Sequence, residues 1–268
     1  MKNCLLRSAI IVLAFVGVIC AGAAAPEESH YTYVIVHGAW GGGWAFREVD
    51  RLLTADGHKV FRPTLTGQGE KMHLASPEVG LATHVNDIVN VILFEDLHDI
   101  VLVGHSYGGM VITGVMDRVP ERIRHVIFLD AAVPNDGESF LDLRGGVAPF
   151  AVKGGFILPS AEAAAKPIPH DVPQSLKTWS EPVSFKNPAA RLLPVTFVRF
   201  VAAGQTSGER KGDLPWQRAG ERGWTRRTMV SDHNAQWSHP GELAALLEEA
   251  PRDRNRPAIA PAGEGGYR

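Results

Sequence analysis

The chain has 268 residues, 45% of them hydrophobic and 21% charged, which suits one sizeable core and is short for two domains. A formal net charge of −2 and the lack of a Lys/Arg run argue against a nucleic-acid partner. Both cysteines, Cys4 and Cys20, fall near the start, so the remainder can hold neither a disulfide nor a thiolate-bound metal.

Residues 1–24 read as a secretory signal peptide. Lys2 and Arg7 give a positive start, Ser8 to Ile19 is almost unbroken apolar sequence, and Ala21–Gly22–Ala23 offers small residues for cleavage after Ala23 or Ala24. The apolar run is shorter than the ~20 residues of a membrane span. The expectation is an exported protein, periplasmic or secreted, with no stable membrane insertion after cleavage.

Thr32–Val36 reads as a buried strand ending at His37–Gly38–Ala39–Trp40. Gly41–Gly42–Gly43 is a loop, and Trp44 to Ala55 has helical spacing. Lys59–Arg62 is a short strand stopped by Pro63, and Thr83–Glu95 a helix. Further strands are expected at Asp99–Val103, Ile123–Leu129, Val195–Ala202 and Thr225–Val230, with helices at Met110–Val119 and Glu242–Glu249. This alternation implies an α/β fold: a mostly parallel sheet of about six strands with helices on both faces. The core is expected over 25–134 and 194–250. Residues 135–193 are too long and Gly/Pro-rich for a plain connection, and Phe140, Leu141, Phe150, Phe156, Ile157 and Leu158 give them material to pack, so they read as a small lid. The Pro/Gly-rich tail 251–268 is expected to be disordered.

The most specific signal is Gly104–His105–Ser106–Tyr107–Gly108–Gly109, set between a buried strand and a helix. Strand, sharp turn and helix form the context of a nucleophile elbow, in which Ser106 stands exposed on a strained turn. Glycines two residues to either side remove Cβ atoms that would clash there. A serine needs an adjacent base. In such arrangements the base follows the final strand, where His233 stands, with His239 as competitor. His105 is expected to pack away from the serine. His30, His58, His73, His84, His98, His125 and His170 lack metal-ligand spacing, and most are expected at the surface. Two backbone N–H groups must meet an oxyanion; Tyr107, after the serine, and Ala39, after the first strand, are the candidates.

His37-Gly-Ala-Trp40, Gly57-His-Lys-Val60, Gly104-His-Ser-Tyr-Gly-Gly109 and Asp232-His233 resemble the α/β-hydrolase family of plant methylesterases, hydroxynitrile lyases and their bacterial relatives. The resemblance covers about Tyr31 to Leu247 outside most of the lid, and implies an α/β-hydrolase fold, a Ser-His-Asp triad and no cofactor or metal. The lyases carry a lysine directly after the histidine and a threonine three residues before His-Gly. Here Asn234 and Val34 stand there, which favours hydrolysis of a small-molecule ester or lactone. The family takes its acid just after the strand expected at Val195–Ala202, but Ala203–Gly204–Gln205–Thr206–Ser207 has no carboxylate. Asp130, ending the preceding strand, becomes the leading candidate, because a triad is defined by geometry rather than chain order. Asp213 and Glu209 are its alternatives. Catalytic Ser106, His233 and Asp130, an oxyanion hole of Ala39 and Tyr107, and substrate contacts from His37 and Trp40 make up the expected site. Trp40, Trp44, Tyr107 and the lid aromatics suggest an apolar pocket. A lyase or cofactor-free perhydrolase on the same triad, or a ligand-binding receptor of this fold, are the rival readings. Nothing in the sequence speaks to oligomeric state.

Overall fold

A computed structural model describes residues 30–205 and 212–252. The expected signal peptide, Glu209 and nearly all of the tail lie outside the described residues. In chain order the elements are β1 (Thr32–Val36), α1 (Arg47–Ala55), β2 (Lys59–Phe61), α2 (Leu81–Phe94), β3 (Ile100–His105), α3 (Gly108–Arg118) and β4 (Ile123–Leu129). Then come β5 (Val152–Lys153), β6 (Phe156–Ile157), α4 (Ala161–Ala164), β7 (Gln174–Ser175), α5 (Lys177–Ser180) and β8 (Val195–Val201). Last are α6 (Leu214–Glu221), β9 (Thr225–Val230), α7 (Ala235–Ser238) and α8 (Pro240–Glu249).

Six strands form one sheet in the order β2-β1-β3-β4-β8-β9, every neighbouring pair parallel. A parallel sheet must be covered on both faces, and strand alternation supplies the cover. On β1, Val34 and Val36 face one core with α2 and α3 residues such as Ile88 and Ile112. Tyr33 and Ile35 face the other, with Val49 of α1 and Leu243 of α8. The chain runs from β1 outward to β2, then crosses back to β3 on the other side of β1. Such a switch point leaves a crevice beyond the carboxyl ends of the strands, where ligands of open α/β sheets bind.

Residues 135–193 are not structureless. They hold a three-stranded antiparallel sheet, β5-β6-β7, and two short helices. Phe140, Ile157 and Trp179 sink into the same core as α2 and α3. Ser175 Oγ donates to Pro77 O (2.9 Å), and Gln174 Oε1 accepts from Trp40 N (3.0 Å), tying the segment to the loop before α2 and to the loop after β1. Helix α6 went unread in the sequence. Asp213 caps its first turn by accepting from Trp216 N (3.3 Å), and Pro215 sits in that turn, where a missing N–H costs nothing.

Candidate active site

Ser106 follows β3 with φ +54°, a left-handed conformation that a non-glycine residue adopts only when its surroundings hold it. Ser106 N donates to Leu129 O (3.2 Å), and Ala132 N donates to Ser106 O (3.0 Å), so β4 clamps the turn. A Cβ at Gly108 would stand 2.7 Å from Val36 O, and one at Gly104 2.7 Å from Ile112 Cδ1, so the turn closes only with glycine at both places.

The strand register then lays out the rest. His105 pairs with Leu129, and Leu129 pairs with Val198. One step further along, Ser106, Asp130 and Arg199 therefore stand in a row across β3, β4 and β8. His233 arrives from the turn after β9, whose base is pinned by Ser231 N donating to Val201 O (3.0 Å). Its Nδ1 lies 2.6 Å from Asp130 Oδ2 and its Nε2 3.0 Å from Ser106 Oγ. A carboxylate only accepts, so the proton sits on Nδ1, and Nε2 is free to accept from the serine hydroxyl. Ser106, His233 and Asp130 are thus brought together in a continuous hydrogen-bonded line.

Behind this line lies a residue the sequence reading missed. Arg199 Nη1 donates to Asp130 Oδ1 (2.7 Å), and Arg199 Nε pairs with Asp213 Oδ2 at 2.7 Å. Both oxygens of Asp130 are therefore engaged, one by the imidazole and one by the guanidinium. Burial alone would raise the Asp130 carboxyl, but the hydrogen bond from His233 and the Arg199 charge hold it below the ordinary carboxylate range. Asp213, an alternative acid, stands behind Arg199 instead of touching His233. The signal was present: Arg199 is the one charged side chain in the strand Val195–Val201. His239 lies aside, bonded to Ser231 Oγ at 3.1 Å. Asp232 closes the His233 turn by accepting from Asn234 N (2.8 Å).

The loop after β1 differs from expectation in two residues. His37 is 1% exposed, with Nε2 accepting from Leu65 N (3.1 Å) and Nδ1 donating to Gly38 O (2.8 Å). Both ring nitrogens are spent on backbone, so His37 braces the loop and has none left for a substrate. Trp40 turns the other way. Its indole N–H donates to Ile157 O (3.1 Å), and its ring meets Phe150 and Trp179 at 4.7 and 5.6 Å. It docks residues 135–193 onto the core and does not line the cleft. Trp44 likewise stacks on Trp237, and Tyr107 is fully buried. Among the described residues, neither Ala39 N nor Tyr107 N donates to a protein acceptor.

Of the seven histidines, most of them expected at the surface, His58, His84 and His125 are buried. His84 Nε2 donates to Thr66 O (3.0 Å), which leaves Nδ1 to accept from the Tyr107 hydroxyl (3.1 Å) beneath the elbow. His105 donates from Nε2 to His233 O (2.8 Å), so the elbow holds the backbone of the candidate base. Burial pushes His84 down to about 4 and His105 down to about 3, which keeps both rings neutral.

A cleft of about 250 Å³ opens over Ser106 and His233. Its walls mix apolar side chains (Val133, Phe140, Leu143, Leu214 and Pro215) with the charged Asp130, Arg144 and Arg199. This arrangement can activate a hydroxyl beside a small cleft, which is the equipment for acyl transfer.

A model of the alpha/beta hydrolase family matches residues 33–260. The chain is 48% identical over 125 residues to the carbendazim hydrolyzing esterase of Nocardioides sp. (strain SG-4G), covering 47% of this chain and 52% of that protein. It is 34% identical over 112 residues to salicylic acid-binding protein 2 of Nicotiana tabacum, covering 41% and 42%. It thus spans about half or less of the length of these relatives. Among solved structures, an extracellular α/β-hydrolase from a Paenibacillus species superposes with a TM-score of 0.67 at 22% identity, over 83% of this chain and all of that one.

Proposed function

The chain belongs to the α/β hydrolase family, and from that membership we propose that it hydrolyses a small carboxylic ester or lactone through an acyl-enzyme on Ser106. Ser106 Oγ attacks the carbonyl carbon while His233 Nε2 takes its proton. The Ala39 and Tyr107 N–H groups stabilise the oxyanion. As the tetrahedral adduct collapses, the bond to the alcohol oxygen breaks, and His233 returns the proton to that oxygen. Water then repeats the sequence against the acyl-enzyme and releases the acid. Asp130 keeps the imidazole in the Nδ1–H tautomer and stabilises the imidazolium, and Arg199 keeps Asp130 ionised and aimed.

The observation that carries this reading is the line from Ser106 Oγ to His233 Nε2 (3.0 Å) and from Nδ1 to Asp130 Oδ2 (2.6 Å), with the serine on a strained elbow. The esterase names of the relatives point the same way. Lyase chemistry is disfavoured by Val34, which is buried in the core, and by Asn234, which supplies no ammonium. We place the reaction outside the cytoplasm on the signal-peptide pattern of residues 1–24.

Turnover of p-nitrophenyl acetate tests the proposal. Ser106→Ala should lower kcat at least about a thousandfold, because triad members act as a unit. Full activity in that variant, or no steady turnover in the native protein, would remove it.

A further inference from the structure

Arg144 is the one charge on the cleft wall that no neighbour answers. The other cleft cation, Arg199, is neutralised from both sides by Asp130 and Asp213 (2.7 Å each). Arg144 makes no ion pair and no side-chain hydrogen bond among the described residues. The nearby acids are committed elsewhere. Asp142, two residues before it, turns back to accept from Ser139 N (2.8 Å) and Ser139 Oγ (2.7 Å). Glu138 accepts from Arg218 Nη2 (2.7 Å) and Asn135 N (2.7 Å), and Asp136 accepts from Phe185 N (2.8 Å).

The guanidinium is also held in place. It lies over the Phe140 ring at 4.8 Å and the Trp179 ring at 5.5 Å, and both rings are buried. Its backbone ends a tight turn, in which Arg144 N donates to Leu141 O (2.9 Å) and Gly146 N donates to the same oxygen (2.8 Å). Gly145 and Gly146, at φ +77° and +81°, close that turn as few other residues could. Stacking occupies the flat faces of a guanidinium and leaves its N–H edge for a planar two-oxygen acceptor. Arg144 is an exposed residue and keeps its proton at neutral pH. A fixed charge on the cleft wall with no protein partner among the described residues is open to a ligand that brings the opposite charge.

The geometry points to an anion subsite: Arg144 receives a carboxylate carried by the substrate apart from its scissile ester. A compact space of the cleft's volume is roughly 8 Å across, so a short acid can reach both Arg144 and the Ser106 hydroxyl. The inference rests on the hydrolytic reading and deepens it from esters in general to half-esters of short dicarboxylic acids.

The test compares monomethyl succinate with methyl levulinate, two methyl esters of the same size and shape that differ in carrying a carboxylate or a methyl ketone. The native protein should prefer the succinate. Arg144→Gln should lower its kcat/KM at least about tenfold, mainly through KM, as loss of a charge-assisted contact does, and leave the levulinate within about twofold. Arg144→Lys should restore part of the loss, and added salt should weaken only the succinate. Equal losses for both esters, or a native preference for the levulinate, would overturn the subsite and reduce Arg144 to a support for Phe140 and Trp179. Calorimetric binding of both esters to Ser106→Ala, with and without Arg144→Gln, reads the same contact without turnover. Failure of hydrolysis alone therefore strikes at the hydrolytic reading, and failure to discriminate in binding strikes at the subsite.

Discussion

The two sides of the candidate site are built in opposite ways. On the elbow side, most of what poses Ser106 lies within a few residues of chain, in the end of β3, the flanking glycines and the first turn of α3, with the end of β4 clamping the turn from outside. On the acid side, Asp130, Arg199, Asp213 and His233 come from four separate places and meet only because β4, β8 and β9 pair in register. The elbow is a local steric solution with neutral, buried histidines around it. The acid side is a long-range electrostatic one. The contrast teaches that a nucleophile is fixed by short-range constraint, while its acid can migrate between strand ends as long as one oxygen still reaches the imidazole.

Removing the acid is the sharpest way to break that contrast. Asp130→Asn should cost at least roughly a hundredfold in kcat with the fold intact, since the equivalent change in a well-studied triad costs about 10⁴. Asp213→Asn should cost far less, because Arg199 stands between it and the imidazole. Steady-state kinetics with circular dichroism decides, and a greater loss from the Asp213 variant would shift the acid to that side chain.

The two sides should also fail in different pH windows. Burial holds His37 and His84 at about 4 and His105 at about 3, below the ordinary 6.5. Between pH 6.5 and those values the unfolded chain binds protons that the folded chain refuses, so stability falls as pH falls through that range. The loss should amount to about 3 kcal/mol for each histidine by pH 4, which urea midpoints can follow. Asp130 behaves differently: its depressed carboxyl contributes stability above the ordinary 3.8 and loses it only as pH drops through the still lower folded value. Midpoints that stay flat from pH 7 to 4 would contradict the neutral, buried elbow histidines.

A smaller effect separates the arginine from the acid it holds. Arg199→Gln should lower kcat about tenfold, as loss of one charge-assisted contact does. Asp130 would then protonate at higher pH, so the acid-side fall in kcat/KM should move upward. An unchanged pH profile with reduced activity would leave Arg199 a packing role only.

The sequence was legible where structure is local. The six sheet strands lie within a residue or two of their expected places, because apolar runs rich in β-branched residues, such as Val34–Ile35–Val36 and Val101–Leu102–Val103, stand out between turn residues. The elbow and His233 stood out for the same reason. What stayed hidden depends on partners far along the chain. Nothing near His37 announces that Leu65 N will take its free nitrogen, nor near Trp40 that Gln174 and Ile157 will dock on it. Nothing near His84 announces that the Tyr107 hydroxyl and Thr66 O will take its two ring nitrogens. The small sheet at 152–175 consists of two-residue strands, too short to show a period.

Covalent labelling tests the central claim most directly. A fluorophosphonate probe, followed by peptide mapping of the intact chain, should place one adduct on Ser106. The adduct should vanish in Ser106→Ala and form much more slowly in His233→Ala and Asp130→Asn. An adduct on a different serine, or labelling of Ser106 at an undiminished rate without His233, would contradict it.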